Sequence, residues 1–246
     1  MSKNYLYFWD TYTLYATVQP AGEMHTQTTA SITISIDEPF LLEVQGDSPR
    51  EYRAVFIPPG VAHRVTTAGV RRVVIQLEPG SPFYYALGEL LEAAGPRSLD
   101  IEKLHVTSGD LRECLAPAFL GRLPCEEAHA IFYRVLYGVA GPGALQKSER
   151  LARGGVRDER IARVLDELRN MAELPAGLSA ARLARSVDLS TERFRHLFKA
   201  EMGLPVRRYL LWLRIRRAGS AVTTGVSLTE AAHAVGFYDS AHLSRT

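Results

Sequence analysis

The chain has 246 residues, 46% hydrophobic and 23% charged, a balance that supports a buried core and excludes wholesale disorder, collagen-like repeats and coiled-coil rods. No run approaches the ~18 uninterrupted apolar residues of a membrane span. The start, MSKNYLYFWDTY, lacks the basic-then-apolar pattern of an export signal. Two cysteines, Cys114 and Cys125, fit a reducing compartment rather than a disulfide framework. The expectation is a cytoplasmic protein with buried, inert thiols and no metal cluster built on them. The net charge of +2 is unevenly spread, with 13 Lys+Arg against 17 Asp+Glu in residues 1–150, and 16 against 10 in residues 151–246. The basic, arginine-rich end points to phosphate-bearing partners, which the acidic part does not.

From residue 5 to about 80 the chain reads as short strands. Thr13 to Val18, Thr29 to Ile36, Phe40 to Val44, Tyr52 to Ile57 and Val70 to Leu77 are rich in β-formers. Turn signals at Pro20-Ala21-Gly22, Asp37-Glu38-Pro39, Gly46-Asp47 and Pro58-Pro59-Gly60 bound them. The period-two alternation of Thr29 to Ile36 places Ile32, Ile34 and Ile36 on one face of a half-buried sheet. Close spacing of such runs predicts a small all-β sandwich or barrel. Tyr5, Tyr7, Phe8, Trp9, Tyr12 and Tyr15 read chiefly as core, with the barrel mouth as their other place. After Pro79-Gly80 the pattern turns helical at Phe83 to Ala94 and Glu126 to Val139. In the second run Ala128, Ile131, Phe132, Val135, Leu136 and Val139 share one face. Residues 138–157, with six glycines or prolines among charges, have linker composition.

Beyond Asp158 the chain is helical in character. Ser179 caps a helix from Ala180 to Val187, Asp188-Leu189-Ser190 makes a turn, and Ser190 caps a second helix, Thr191 to Met202. Phe194, Leu197, Phe198 and Met202 form its buried face. Glu192, Arg193, Arg195, His196 and Lys199 lie opposite. Gly203 and Pro205 end it. A short helix, a tight turn and a helix with a basic outer face make the helix-turn-helix pattern. The pattern recurs. Ser227 caps Leu228 to Ala234, Gly236-Phe237-Tyr238 turns, and Asp239 caps a helix carrying Ser240, His242 and Arg245. The connector from Pro205 to Ala221 would span ~25 Å as a helix. That is of the order needed to set two reading helices in successive major grooves, ~34 Å apart. By position, Arg193 and His196 are favoured for bases and Lys199 for phosphate.

The segments LSAARLARSVDLSTERFRHLFKAEMGLPVRRYLLWLRIRRA and SLTEAAHAVGFYDSAHLSR resemble the AraC/XylS family of bacterial transcription regulators. The resemblance covers about residues 160–246. It implies sequence-specific promoter binding, contact with RNA polymerase and, through the helices near Phe83 to Val139, a homodimer. Family members continue past the Ser-Arg pair with the rest of the second reading helix and a closing helix. The expectation is therefore a C-terminally truncated reader. The N-terminal part resembles the cupin-like sensor of the same family. Pro58-Pro59-Gly60-Val61-Ala62-His63 matches the second cupin motif. Gly22-Glu23-Met24-His25 matches the start of the first, with Gln27 where a second histidine belongs. A cupin metal site takes three histidines and a carboxylate, so His25 and His63 read as pocket or structural residues, with no metal or other cofactor.

Arg150, Arg153 and Arg157, interleaved with Gly154-Gly155, are similar to the arginine motif with which PilZ domains hold cyclic di-GMP. Guanidinium forks suit both phosphate and guanine. The whole is read as a two-domain α+β protein, a cupin-like sensor with dimerisation helices (1–145), a linker (146–158) and an all-α double helix-turn-helix domain (159–246). The expected function is a non-enzymatic, effector-controlled regulator of promoter DNA, more an activator than a repressor, off the membrane. Two rivals stand beside it. One is a cupin metalloenzyme with a DNA-binding tail, and the other a truncated inhibitor that pairs with a related regulator without binding DNA.

Overall fold

The computed structural model describes residues 4–9, 11–19, 22–67, 69–100, 104, 111–141, 143, 158–171, 174–175, 177–237 and 239. The chain divides into two compact units, Met1–Ala152 and Arg153–Thr246, each with a hydrophobic core of its own.

The first unit is built on β1 (Tyr5–Phe8), β2 (Tyr12–Thr17), β3 (His25–Thr26), β4 (Ala30–Ser35), β5 (Phe40–Val44), β6 (Arg50–Tyr52), β7 (Ala54–Ile57), β8 (Ala62–Thr66), β9 (Arg72–Leu77) and β10 (Arg97–Ser98). They form two sheets, β1-β2-β9-β4-β7-β10 and β3-β8-β5-β6, in which every pairing is antiparallel. From β2 to β9 the chain crosses from one sheet to the other at every step except between β5 and β6, which pair within one sheet; this is jelly-roll order, the double-sheet architecture of cupins.

β4 departs from the half-buried expectation, because both of its faces are buried. Ile32 and Ile34 belong, with Leu14, Phe56 and Ile75, to the outer face of the larger sheet. Helix α3 (Cys125–Ala140) covers that face with Ala128, Ile131, Phe132, Val135 and Leu136. The small polar residues Ser31, Thr33 and Ser35 are equally buried. Ser31 and Thr33 face the sandwich interior. Thr and Ser in a strand therefore mark here an inner polar wall, not a water-facing one. At one end the interior is apolar, with Phe40, Leu42, Val55 and Ile57 packed together.

The helix expected at Phe83 to Ala94 is broken. α1 (Pro82–Ala86) gives way to a 3-10 turn, Gly88–Glu92, with Gly88 at φ +48°, a conformation an α-helix cannot carry on through. Further on come α2 (Leu111–Leu115), a 3-10 turn (Ala116–Leu120) and α3. Tyr5, Tyr7, Trp9 and Tyr12 pack into or against the core. Trp9 stacks on Tyr12 at 4.6 Å and Tyr12 on Phe132 at 3.5 Å between ring centroids. The Tyr12 hydroxyl bonds His129 Nδ1 on the same helix. Of the six aromatic residues singled out above, Tyr15 alone lines the interior cavity. The thiols are not both buried as expected. Cys125 is exposed in the first turn of α3 and Cys114 is half-buried.

The second unit contains α4 (Glu159–Asn170), α5 (Ala180–Ser186), α6 (Thr191–Met202), α7 (Val206–Thr223) and α8 (Leu228–Ala234). Ile161, Val164, Leu165 and Leu168 of α4 close the first helix pair over Leu183, Phe194, Phe198, Tyr209 and Leu213. A second, smaller core joins Ala218 of α7 to Ala231, Ala232, Val235 and Phe237. Thus α7 packs both on the first pair and on α8, with Tyr209, Leu210 and Leu213 turned to one core and Leu211, Ile215 and Ala218 to the other. Serving two cores removes the single apolar stripe that an ordinary surface helix shows.

Candidate functional site

The reading helix of the first pair is α6. Ser190 sits in extended backbone and its side chain accepts from the Arg193 amide at 3.3 Å, satisfying one of the orphan donors of the first turn. Phe194 and Phe198 are fully buried, which leaves Arg193, Arg195, His196 and Lys199 exposed on the other side. Glu192 shares that exposed face, 3.0 Å from His196 Nε2 and 3.7 Å from Arg195 Nη1. Exposed pairs of this kind hold weakly, so a nucleic-acid partner could replace them.

The two turns are built alike. Leu189 N donates to Ala184 O at 2.9 Å and Phe237 N to Ala232 O at 2.9 Å. Asp188 at φ +54° and Gly236 at φ +85° hold the left-handed position in each. Aspartate is one of the few side chains that enters that region at modest cost. Ala184 and Ala232, which accept these bonds, are both fully buried. The second pair opens with a full capping box between Ser227 and Glu230. Ser240, His242 and Arg245, and likewise Arg150, Arg153 and Arg157, lie outside the described residues. Not every arginine of α7 is available for phosphate. Arg217 Nη2 donates to the Leu168 carbonyl at 2.9 Å, in the last turn of α4, Arg214 Nη2 reaches Leu178 O at 3.5 Å, and Arg216 lies 5.5 Å from the Trp212 ring centroid.

Inside the jelly roll, a cavity of ≈ 130 Å³ is lined by polar side chains, among them Tyr15, Gln27, His25, His63 and Arg72. Strand register sets them there. His25 pairs with His63 across β3 and β8, and Thr17 with Arg72 across β2 and β9. The imidazole Nδ1 atoms of His25 and His63 donate to the carbonyls of Glu23 at 3.0 Å and Val61 at 2.9 Å. His63 is buried. Burial pushes its pKa down, and the neighbouring His25 adds to this against the opposing pull of its bond to Val61. These residues do not fit a cupin metal. Gln27 occupies the third ligand's place and donates to Ser31 Oγ at 2.5 Å, and the described residues of the lining include no carboxylate. Among the described residues no group of three or more His, Cys, Asp or Glu is placed to hold a metal ion.

Residues 183–246 match the helix-turn-helix domain family, and with the paired turns this settles the character of the second unit. The chain carries an AraC-type helix-turn-helix domain. Such a domain is the DNA-binding module of a transcription regulator. No curated protein matches the chain. Solved structures similar to it include ToxT from Vibrio cholerae O395, 13% identical, covering 99% of this chain and 91% of that one with a TM-score of 0.49. ToxT from Vibrio cholerae strain SCE256 with a bound unsaturated fatty acid is 12% identical, covering 99% and 89% with a TM-score of 0.47. An RmlC-like cupin protein from Methanocaldococcus jannaschii is 13% identical, covering 32% and 83% with a TM-score of 0.29.

The match to the AraC-type domain begins at Leu183, inside α5, and takes in the whole of α6. Sequence reasoning missed most of the cavity. Of its lining it named Gly22, His25, Gln27 and His63 through the cupin motifs and Tyr15 only as one aromatic among six. Arg72, Ser31, Thr33 and Thr17 went unremarked. The signal available was Arg72 itself, a charge in phase with Val74 on a strand whose other members are almost all apolar.

Proposed function

We propose that this chain is a homodimeric, sequence-specific transcription regulator whose α6 enters the major groove and whose jelly-roll cavity takes a small effector. The observation that carries the reading is α6 itself. Ser190 caps it, Phe194 and Phe198 anchor its back, and Arg193, Arg195, His196 and Lys199 stand free of the core on its front. Arg193 and His196 read base edges, Arg195 and Lys199 grip phosphates, and Ser240, His242 and Arg245 serve the second half-site. His25 and His63 belong to the effector site. Effector binding favours one state of the dimer and so shifts occupancy of the operator. The output is activation through contact with RNA polymerase. A cytoplasmic location goes with that partner. Nothing in this reading requires catalysis. Cyclic di-GMP at Arg150, Arg153 and Arg157 is supported by the residue pattern alone, and calorimetric titration of the chain with the dinucleotide tests it.

The test of the main reading is DNase footprinting of the purified chain on DNA upstream of its own gene and neighbouring operons, with a salt series. Protected bases whose affinity falls steeply with salt support it. Uniform absence of protection at low salt overturns it and favours the inhibitor that pairs with a related regulator.

A further inference from the structure

The jelly-roll interior holds a cation with no counter-charge among the described residues. Arg72 on β9 is only 6% exposed, and a guanidinium does not give up its proton to escape burial. Its Nη2 donates to the Gln19 carbonyl at 2.8 Å. Its Nε is buried and has no partner among the described residues. The neighbouring Arg71 is matched, with Asp37 receiving both its Nε and its Nη2 at 3.0 and 2.6 Å. Among the described residues Arg72 has no such carboxylate, and those that line the cavity include neither Asp nor Glu. Leaving a buried charge without its partner is strongly destabilising, and a fold retains one where something else supplies the opposite charge.

The rest of the wall says what that something is. Tyr15 is half-buried, and burial pushes its phenol up, so it stays a neutral O–H donor beside the guanidinium. His63 is held towards its neutral form by burial. Val65 and Val74 give the lining its aliphatic side chains, and Val65 packs against the apolar end of the interior. The cavity, ≈ 130 Å³, is close to the ~150 Å³ that accepts benzene in an engineered apolar core. A dinucleotide is far too large for it.

Resting on the effector-pocket reading above, we propose that this cavity binds a small monocarboxylate with a short aromatic or aliphatic body, its carboxylate held by Arg72. The fork geometry of a guanidinium suits the two oxygens of a carboxylate, the Tyr15 hydroxyl offers a further donor, and Val65 and Val74 take the body.

The experiment is calorimetric titration and thermal melting of the full chain with benzoate and butyrate against their neutral counterparts, benzamide and butyramide, in low-chloride buffer. An acid should bind about tenfold or more tighter than its amide, the discrimination expected of a charge-assisted pair. Arg72→Met should lose that preference while melting no lower than the parent without ligand, since it removes an uncompensated buried charge. Should the amides bind as well as the acids, or Arg72→Met keep its benzoate affinity, the carboxylate assignment is overturned and the pocket stands. Should none of the four compounds bind, the carboxylate assignment is overturned, whereas the footprint judges DNA reading independently. The contrast between acid and amide on the parent chain decides the matter even where the variant fails to fold.

Discussion

His25 and His63 face each other across the β3–β8 ladder, their ring centroids 4.5 Å apart and tilted by 52°. One is exposed and the other buried, so two like side chains meet different solvents at one strand pair. The consequence is a pH-dependent stability. The folded pKa of His63 lies below the ordinary 6.5, first through burial. The unfolded chain therefore takes up a proton more readily than the native one. The stabilisation is complete above the unfolded value and is lost as pH falls through it towards the depressed folded value. Denaturant melts from pH 7.5 down to 5 should show falling stability, and His63→Gln should flatten the curve. The same slope in parent and variant would remove His63 as its source.

Arg193→Ala should weaken binding to an operator by ~1–3 kcal/mol while barely changing affinity for random DNA, as a base contact requires. Lys199→Ala should weaken both alike and lower the salt slope by about one. Fluorescence titrations on the footprinted site and on a scrambled duplex, each at several salt concentrations, separate the two. An equal loss on both duplexes for Arg193→Ala makes it a phosphate contact.

Ser190→Ala removes the side-chain bond to the Arg193 amide and should cost ~1 kcal/mol in the stability of the helical unit. DNA affinity should fall with it, because the first turn of α6 carries Arg193. Chemical denaturation followed by far-UV dichroism measures the first effect. A change within ~0.3 kcal/mol, less than any cap is worth, would show that the cap adds nothing.

Gly121 ends the 3-10 turn at φ +65°, and a β-carbon there would run into the Tyr5 ring. Tyr5 lies on the edge strand β1, paired with Ala16, and the Tyr7 hydroxyl two residues on donates to Leu123 O at 3.0 Å. Gly121→Ala should therefore lower stability by at least ~1 kcal/mol, the left-handed backbone term alone, with the displaced ring adding to it. A thermal melt indistinguishable from the parent would show that β1 yields freely.

How far the amino-acid pattern carried the reading differed between the two units. Helix α6 was legible to the residue, because caps, the Phe194/Phe198 spacing and the Gly203 stop are local signals that neighbouring residues read within one or two turns. Its turn was legible too, since Asp188 and Gly236 occupy matching places in two similar segments. The strands of the first unit were found, but the partition of their faces was not. Period-two alternation says that Ile32 and Thr33 point opposite ways. It does not say which way is inward, and the helix that covers Ile32 lies about a hundred residues further on. For the same reason Phe83 to Ala94, apolar enough for a helix, breaks at Gly88, and Cys125, in an otherwise core-forming helix, is exposed. Chain-local chemistry thus determined the DNA-reading helix and the jelly-roll strands. Only the folding of β2, β4 and β9 side by side brought Arg72, Tyr15 and Ser31 around one cavity, because contacts between residues that far apart in the chain follow from sheet register, which no local pattern records.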